Sequence, residues 1–402
     1  MPGAEMTAYR TLDQADVKGK RVLVRVDLNV PMSNGSVADA TRIAAAAKTI
    51  NEIADKGGRV ILLSHFGRPK GRDPKDSLAR VATAAAGIIG RPVAFADDCV
   101  GETAERAVKA MKAGEVLCLE NTRFHSGEEK NDKDFIARLA RLADIWVNDA
   151  FSVAHRAHAS TEGLAHALPA YAGRSMQAEL DALGKALDHP QRPLAAIVGG
   201  AKVSTKLDLL GHLLYKVDAL IIGGAMANTF LAAQGKKVGK SLVEPDLLPT
   251  AREIMDKAKA GKREIVLPVD AVVAQKLEAH APSRVVDVDH VGDTDMILDI
   301  GPRSVEHVVS VLARAKTVVW NGPFGAFETE PFDTGTIEVA EAAAELTQAH
   351  KLVSVAGGGD TVAALNAAGV TDRFTYVSTA GGAFLEWMEG KALPGVEVLR
   401  VK

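Results

Sequence analysis

Several protein classes are excluded by what this chain lacks. Its 402 residues include two cysteines, Cys99 and Cys118, too few for a disulfide scaffold or a structural zinc site and in keeping with a reducing compartment. Neither sign of charge dominates: 48 Lys and Arg stand against 51 Asp and Glu, a formal net charge of -3. A global polycation for nucleic acid is thereby excluded, although local basic clusters are not. No apolar run approaches the roughly 20 residues that span a bilayer, and the start, MPGAEMTAYRTLDQADVKGKR, lacks the apolar centre of a secretory signal. There is no tandem repeat of fixed period and no low-complexity tract beyond an alanine bias. Chemical signatures are missing too. The chain has no G-x-x-x-x-G-K-[ST] phosphate loop, no G-x-G-x-x-G fingerprint with a following acidic residue, no G-x-S-x-G elbow, no H-E-x-x-H and no H-R-D set. A cytoplasmic protein that binds neither nucleic acid nor membrane is expected.

What is present is an alternation. Short β-branched runs alternate with Ala-rich helical stretches: RVLVRV (21–26), TRIAAAAKTINEIADK (41–56), RVILLS (59–64), EVLCLE (115–120), a helix near 132–142, and DIWVNDAF (144–151). The second half repeats the scheme with LAAIVGG (194–200), ALIIGG (219–224), REIVLPV (263–269), TVVWNG (317–322) and KLVSVAGG (351–358). Strands alternating with helices imply parallel sheets, and nearly continuous apolar strands imply burial on both faces. The fold class is α/β, two doubly wound, Rossmann-like parallel-sheet domains. So many strands exceed one compact sheet, and QAELDALGKALDHPQRPL (177–194) reads as an amphipathic connecting helix ended by Pro190 and Pro193.

The residues with chemical potential lie just beyond the strands. In RVDLNVP (25–31), Arg25, Asp27 and Asn29 share one side by the period of two, and carboxyl ends of parallel strands are where ligands settle. Arg42 near a helix start meets the positive end of the helix dipole, unfavourably unless an anion binds there; alone it reads better as a solvated side chain. His65 and Arg68 in SHFGRPKGR (64–72), Arg123 and Arg156 also follow strands. Each alone reads as structural or solvated, but five converging cations repel one another unless a small polyanion sits among them.

The second half offers glycine-rich strand-to-helix junctions at GGAKVSTK (199–206), GGAMANTF (223–230), GGGDT (357–361) and AGGAF (380–384). Such junctions turn backbone N–H groups toward phosphate. Lys202 and Lys206, spaced i,i+4, are expected on one helix face. Asp360 reads equally as a metal contact or a helix N-cap.

These stretches, with NTRFHSGEEKND (121–132), AHRAHAS (154–160), WNGPFGAFE (320–328) and STAGGAFLEWMEGK (378–391), resemble the phosphoglycerate kinase family, in family order over essentially the whole chain. The resemblance implies two lobes. One is 1–178, a 3-phosphoglycerate domain on which the tail 391–402 packs back; the other is 179–390, a nucleotide domain opening with a hinge helix at about 179–188. It implies reversible phosphoryl transfer between MgATP and the carboxylate of 3-phosphoglycerate, giving 1,3-bisphosphoglycerate and MgADP within glycolysis or gluconeogenesis, by a hinge-bending monomer. Carried over, Asp27, Asn29, Arg42, His65, Arg68, Arg123 and Arg156 bind 3-phosphoglycerate. Lys202, Lys206, Asn321, Glu328, Gly358, Gly359, Asp360 and Thr361 bind nucleotide, with Glu328 toward the ribose and Asp360 toward Mg²⁺. Arg42 and Lys202 are the catalytic cations. Four positions depart from the family pattern: Leu28 for Phe, Ser152-Val153 for Gly-Thr, Ala380 for a third Gly, and Ile297 for Gly near the adenine pocket. An NAD-dependent oxidoreductase needs the missing fingerprint. A non-catalytic nucleotide-binding protein on the same fold is the other alternative, and it predicts loss of Arg42 or Lys202, both of which are present.

Overall fold

The computed structural model describes residues 9–401. The first strands are β1 (Arg21–Arg25), the short pair β2 (Met32–Ser33) and β3 (Ser36–Val37), β4 (Arg59–Leu63), β5 (Val93–Ala96), β6 (Val116–Leu119), β7 (Ile145–Asn148) and β8 (Ala170–Ala172). Six of them form a sheet in the order β5-β6-β4-β1-β7-β8, with every pairing parallel. Val22, Leu23 and Val24 of β1 are all fully buried. Helices therefore cover both faces of the strand, which is why it reads as an unbroken apolar run rather than an alternation. The chain winds from β1 out to β5 and returns to the other side of β1 at β7. The switch in winding direction falls between β1 and β7, where a ligand crevice is expected beyond the strand ends.

The second set is β9 (Leu194–Val198), β10 (Ala219–Ile222), β11 (Glu264–Val266), β12 (Asp270–Ala274), β13 (Ser283–Asp287), β14 (Met296–Ile300), β15 (Thr317–Asn321), β16 (Val353–Gly357) and β17 (Tyr376–Ser378). Its parallel sheet has the order β11-β10-β9-β15-β16-β17, so the same logic puts the switch point between β9 and β15. Beside it, β12 pairs antiparallel with both β13 and β14. The alternation of parallel strand and helix gave no sign of that three-stranded sheet, because β13 (SRVVD) is exposed or half-buried throughout and carries no apolar run.

Two compact units result, one reaching to Leu180 and rejoined by the segment from Ala392, the other Asp181–Lys391. Each has its own apolar core. The connecting helix differs from its expected span: it is Arg174–Leu183, continues as a π-helical turn over Gly184–Asp188, and has ended before Pro190. Two prolines without N–H groups cannot extend a helix, and β9 begins at Leu194. Both cysteines are free and buried. Among the described residues, no helix is long and apolar enough to cross a membrane.

Candidate active site

In the first unit, the loops leaving β1, β4, β6 and β7 carry the predicted polar residues. Asp27 is held from three directions. Its Oδ1 accepts the N–H of Asn29 at 3.0 Å, Ser152 donates its hydroxyl to Oδ2, and Nη1 of Arg42 lies 3.2 Å from that oxygen. Arg42 is the second residue of the helix Thr41–Asp55 and also donates to the backbone oxygen of Asn29 at 2.8 Å. It is turned toward the β1 loop and not out into solvent. The peptide of Gly67 is gripped from both ends: its N–H donates to Oδ1 of Asn29 at 2.9 Å, and its oxygen accepts from Nη1 of Arg123 at 2.7 Å.

His65 departs from expectation. It is buried, Nη2 of Arg25 lies 3.0 Å from its Nδ1, and Arg25 can only donate, so Nδ1 is the acceptor and the ring proton sits on Nε2. Burial, then the charges of Arg25, Arg123 and Arg156, push the imidazole far below its ordinary range. His65 is thus a neutral donor, and the fifth cation is Arg25, fully enclosed and also bonded to the Ser160 hydroxyl at 2.8 Å. Arg123 is coupled to Arg156 and Arg68; burial first, and then these neighbours, lower its pKa, while Glu129 and Glu128 oppose them. Arg68 itself is exposed and Arg156 half-buried. Sequence reasoning placed Arg25 on the ligand-facing side with Asp27 and Asn29 but did not count it among the cations of the site. It also missed Asn121, whose amide ties Phe66 and Asp76, and Glu128, buried within the cation cluster.

In the second unit, the junctions after β9 and β15 touch backbone to backbone at the switch point. The N–H of Gly199 donates to the oxygen of Asn321 at 2.9 Å. A Cβ on Gly199 would lie 2.0 Å from the oxygen of Pro323, and one on Gly322 (φ +103) would lie 2.3 Å from the oxygen of Gly199. Only glycine permits that approach. Asn321 and Thr361 lock the third loop. The Asn321 amide accepts from Nζ of Lys206 and donates to the oxygen of Gly357 at 2.8 Å, while the Thr361 hydroxyl accepts the N–H of Gly322 at 2.7 Å. Both residues are buried, so they shape the loops. Burial lowers the pKa of Lys206, and the charges of Glu389 and Asp360 oppose it.

These loops and β14 enclose a cleft of about 520 Å³. Its apolar wall includes Leu242, Met296, Ile297 and Phe324; Glu328 and Asp360 line its polar side, both exposed, as is Lys202. Two expectations are corrected. Lys202 and Lys206 do not share a helix: Lys202 is extended, a single 3-10 turn Val203–Thr205 intervenes, and Lys206 precedes the helix Leu207–Lys216. Asp360 is not an N-cap, since Gly358 (φ 99) holds that position and Asp360 lies in the first turn of Gly359–Ala367.

The chain is similar to known proteins of one family. A sequence profile of the phosphoglycerate kinase family matches residues 12–391. The chain is 66% identical over 394 residues to the phosphoglycerate kinase of Bradyrhizobium diazoefficiens, covering 98% of this chain and 99% of that one. It is 67% identical over 394 residues to that of Rhodopseudomonas palustris, with the same coverage. The solved phosphoglycerate kinase of Coxiella burnetii superposes with a TM-score of 0.91 at 43% identity, over 97% of this chain and 98% of that one. With the profile spanning both units and the relatives matching from end to end, the chain belongs to the phosphoglycerate kinase family and has phosphoglycerate kinase activity.

Proposed function

We propose that the chain carries out this activity by holding 3-phosphoglycerate among the cations of the first unit and MgATP in the cleft of the second. It then passes the γ-phosphoryl group reversibly to the substrate carboxylate, giving 1,3-bisphosphoglycerate and MgADP. The observation that supports this most is the clustering of Arg25, Arg123, Arg156 and Arg68, close enough for their charges to act on one another, with too few carboxylates (Asp27, Glu128 and Glu129) to balance them. A bound phosphate and carboxylate supply the missing negative charge. The Nε2–H of His65, Asp27 and Asn29 serve hydroxyl and carboxylate groups of the same ligand.

The acceptor carboxylate is ionised at neutral pH, so no general base is needed. Catalysis reduces to alignment and to neutralising charge on the transferring group. Arg42, anchored to Asp27 and Asn29 at a helix start, and Lys202, extended and exposed at the β9 junction, carry that charge work. Lys206, Glu328 and the N–H groups at 358–361 hold the nucleotide. Asp360 fits a Mg²⁺ ion: its carboxylate is exposed on the cleft wall, and hard oxygen donors suit that ion. Bound with the nucleotide, Mg²⁺ neutralises phosphate charge. One chain supplies both sites, so the reading requires no second copy.

The test is an assay with MgATP and 3-phosphoglycerate, the product reduced by added glyceraldehyde-3-phosphate dehydrogenase as NADH loss is followed. Loss requiring both substrates and Mg²⁺ is expected. Absence of turnover with MgATP still bound by calorimetry overturns the reading in favour of a non-catalytic binder. In the same assay Arg42→Ala should lower kcat by about 10²–10³-fold with KM for MgATP nearly unchanged; unchanged kcat removes Arg42 from the mechanism.

A further inference from the structure

Two residues beyond Arg123, the edge of the first sheet brings together three chemically different donors. β5 and β6 pair in parallel with Ala96 opposite Leu119, so the segments leaving the two strands emerge side by side. Asp98 and Cys99 follow β5, and His125 closes the 3-10 turn Thr122–Phe124 after β6. A carboxylate oxygen of Asp98, the Cys99 sulfur and a ring nitrogen of His125 all lie within 4.8 Å of one another. Nε2 of His125 is 2.7 Å from Oδ1 of Asp98, and the same oxygen accepts the N–H of Cys99 at 2.7 Å. Phe135 stacks on the imidazole with centroids 5.3 Å apart, which fixes the ring plane. The side chains of Asp98 and His125 are 28% and 25% exposed, whereas Cys99 is fully buried. The set therefore opens to water on one side only.

We infer that Asp98, Cys99 and His125 form a binding site for a thiophilic divalent cation of the zinc type, with water completing the coordination. One oxygen, one sulfur and one nitrogen donor are the ligand types such an ion takes, and three protein ligands leave the fourth position of a tetrahedron open. The carboxylate and a thiolate together match the charge of the ion. A count of cysteines passes over such a site, because only one of its ligands is sulfur. An ordinary cysteine thiol keeps its proton at neutral pH when no ion is present. Binding accordingly forms a metal–sulfur bond, breaks the S–H bond and releases that proton to solvent. The Asp98–His125 hydrogen bond is replaced by one metal bond to each partner, and the imidazole proton then resides on Nδ1. Arg72 reaches the other Asp98 oxygen only at 3.9 Å and is held by Asp97 at 2.8 Å, so it need not be displaced. Mg²⁺, a hard ion that favours oxygen donors, does not compete here, which keeps the site independent of the nucleotide's metal.

Titration of the metal-free, full-length protein with Co²⁺ tests this. A thiolate-to-cobalt charge-transfer band should saturate at one ion per chain, persist in excess Mg²⁺ and disappear when Zn²⁺ is added. Zn²⁺ binding should release about one proton per ion. Cys99→Ala should lack the band, His125→Ala should weaken Co²⁺ binding at least about tenfold, and Cys118→Ala, which alters the other buried thiol, should behave as wild type. Cys99→Ser, checked by circular dichroism and by unchanged Mg²⁺-dependent turnover, serves if the alanine variant does not fold. No band in the wild type, a band that survives loss of Cys99, or one that vanishes with Cys118 overturns the assignment.

Discussion

At the scale of single residues, the second unit depends on glycines at one contact. Gly199 and Gly322 let the junctions after β9 and β15 meet, with hypothetical Cβ atoms 2.0 and 2.3 Å from facing backbone oxygens. Gly322→Ala combines that overlap with a φ of +103, and each effect costs about 1–3 kcal/mol. Urea unfolding should show a loss of at least about 2 kcal/mol, with amide exchange accelerated in β9 and β15 before β1 and β7. The family departures are gentler. Leu28 is fully buried in the first core, Ser152 donates a hydroxyl to Asp27, and Ile297 lies on the cleft wall. Ala380 has no positive φ; Gly381 takes it, at +58. Ala380→Gly is therefore expected to destabilise by about 0.5–1 kcal/mol with no gain in kcat, measurable by urea midpoint and steady-state rates.

At the scale of elements, the helix Thr41–Asp55 joins chemistry to scaffold. Arg42 sits at its start, and Thr49 and Glu52 tie its far half to Arg174, the first residue of Arg174–Leu183. Thr49 accepts the N–H of Arg174 at 2.8 Å, and the guanidinium donates to both Glu52 oxygens at 2.7 Å and to Asp13. The hydrogen bond from Arg174, more than the opposing burial, pulls the Glu52 carboxyl from 4.5 to about 2. A carboxylate depressed in the native state stabilises fully above its unfolded value and loses that contribution as pH falls toward its folded one. Arg174→Met should thus cost about 2 kcal/mol at neutral pH, and it should flatten the decline in urea midpoint between pH 4.5 and about 2. An unaltered acid profile would show that the pair contributes nothing.

At the scale of the whole molecule, each unit closes its own core, and the first borrows from the end of the chain. Leu393, Val396 and Leu399 are 2%, 3% and 0% exposed. The N–H of Gly395 donates to the oxygen of Ala154 at 2.8 Å, and its own oxygen accepts from Asn148 at 3.0 Å. Burying each such side chain stabilises by about 1.5–3 kcal/mol, so their sum is comparable to the net stability of a domain. A chain ending at Lys391 should lose amide protection throughout the first sheet while β9, β10, β15 and β16 stay protected. Equal loss in both sheets would mean that the tail's burial does not stabilise the first unit alone.

The sequence by itself determined what local physics can write. Apolar β-branched runs located β1, β4, β6, β7, β9, β10, β11, β15 and β16 to within about three residues, because a strand covered on both faces tolerates little else, whereas the short β5, β8 and β17 offered no such run. Glycine-rich junctions and clustered cations marked the two candidate sites, because anion binding demands N–H groups and positive charge just past strand ends. Tertiary structure decided what depends on distant neighbours. Only packing reveals that His65 is neutral, since the arginine beside it comes from another strand's end. Only the 3-10 turn after Lys202 separates that lysine from Lys206, and i,i+4 spacing implies a shared face solely where a helix exists. The exposed strand β13 carries no pattern to read, and Asp98, Cys99 and His125 meet only because β5 and β6 pair in parallel. Spacing along the chain fixes which residues can be neighbours within an element; which elements become neighbours is settled by burying their apolar faces.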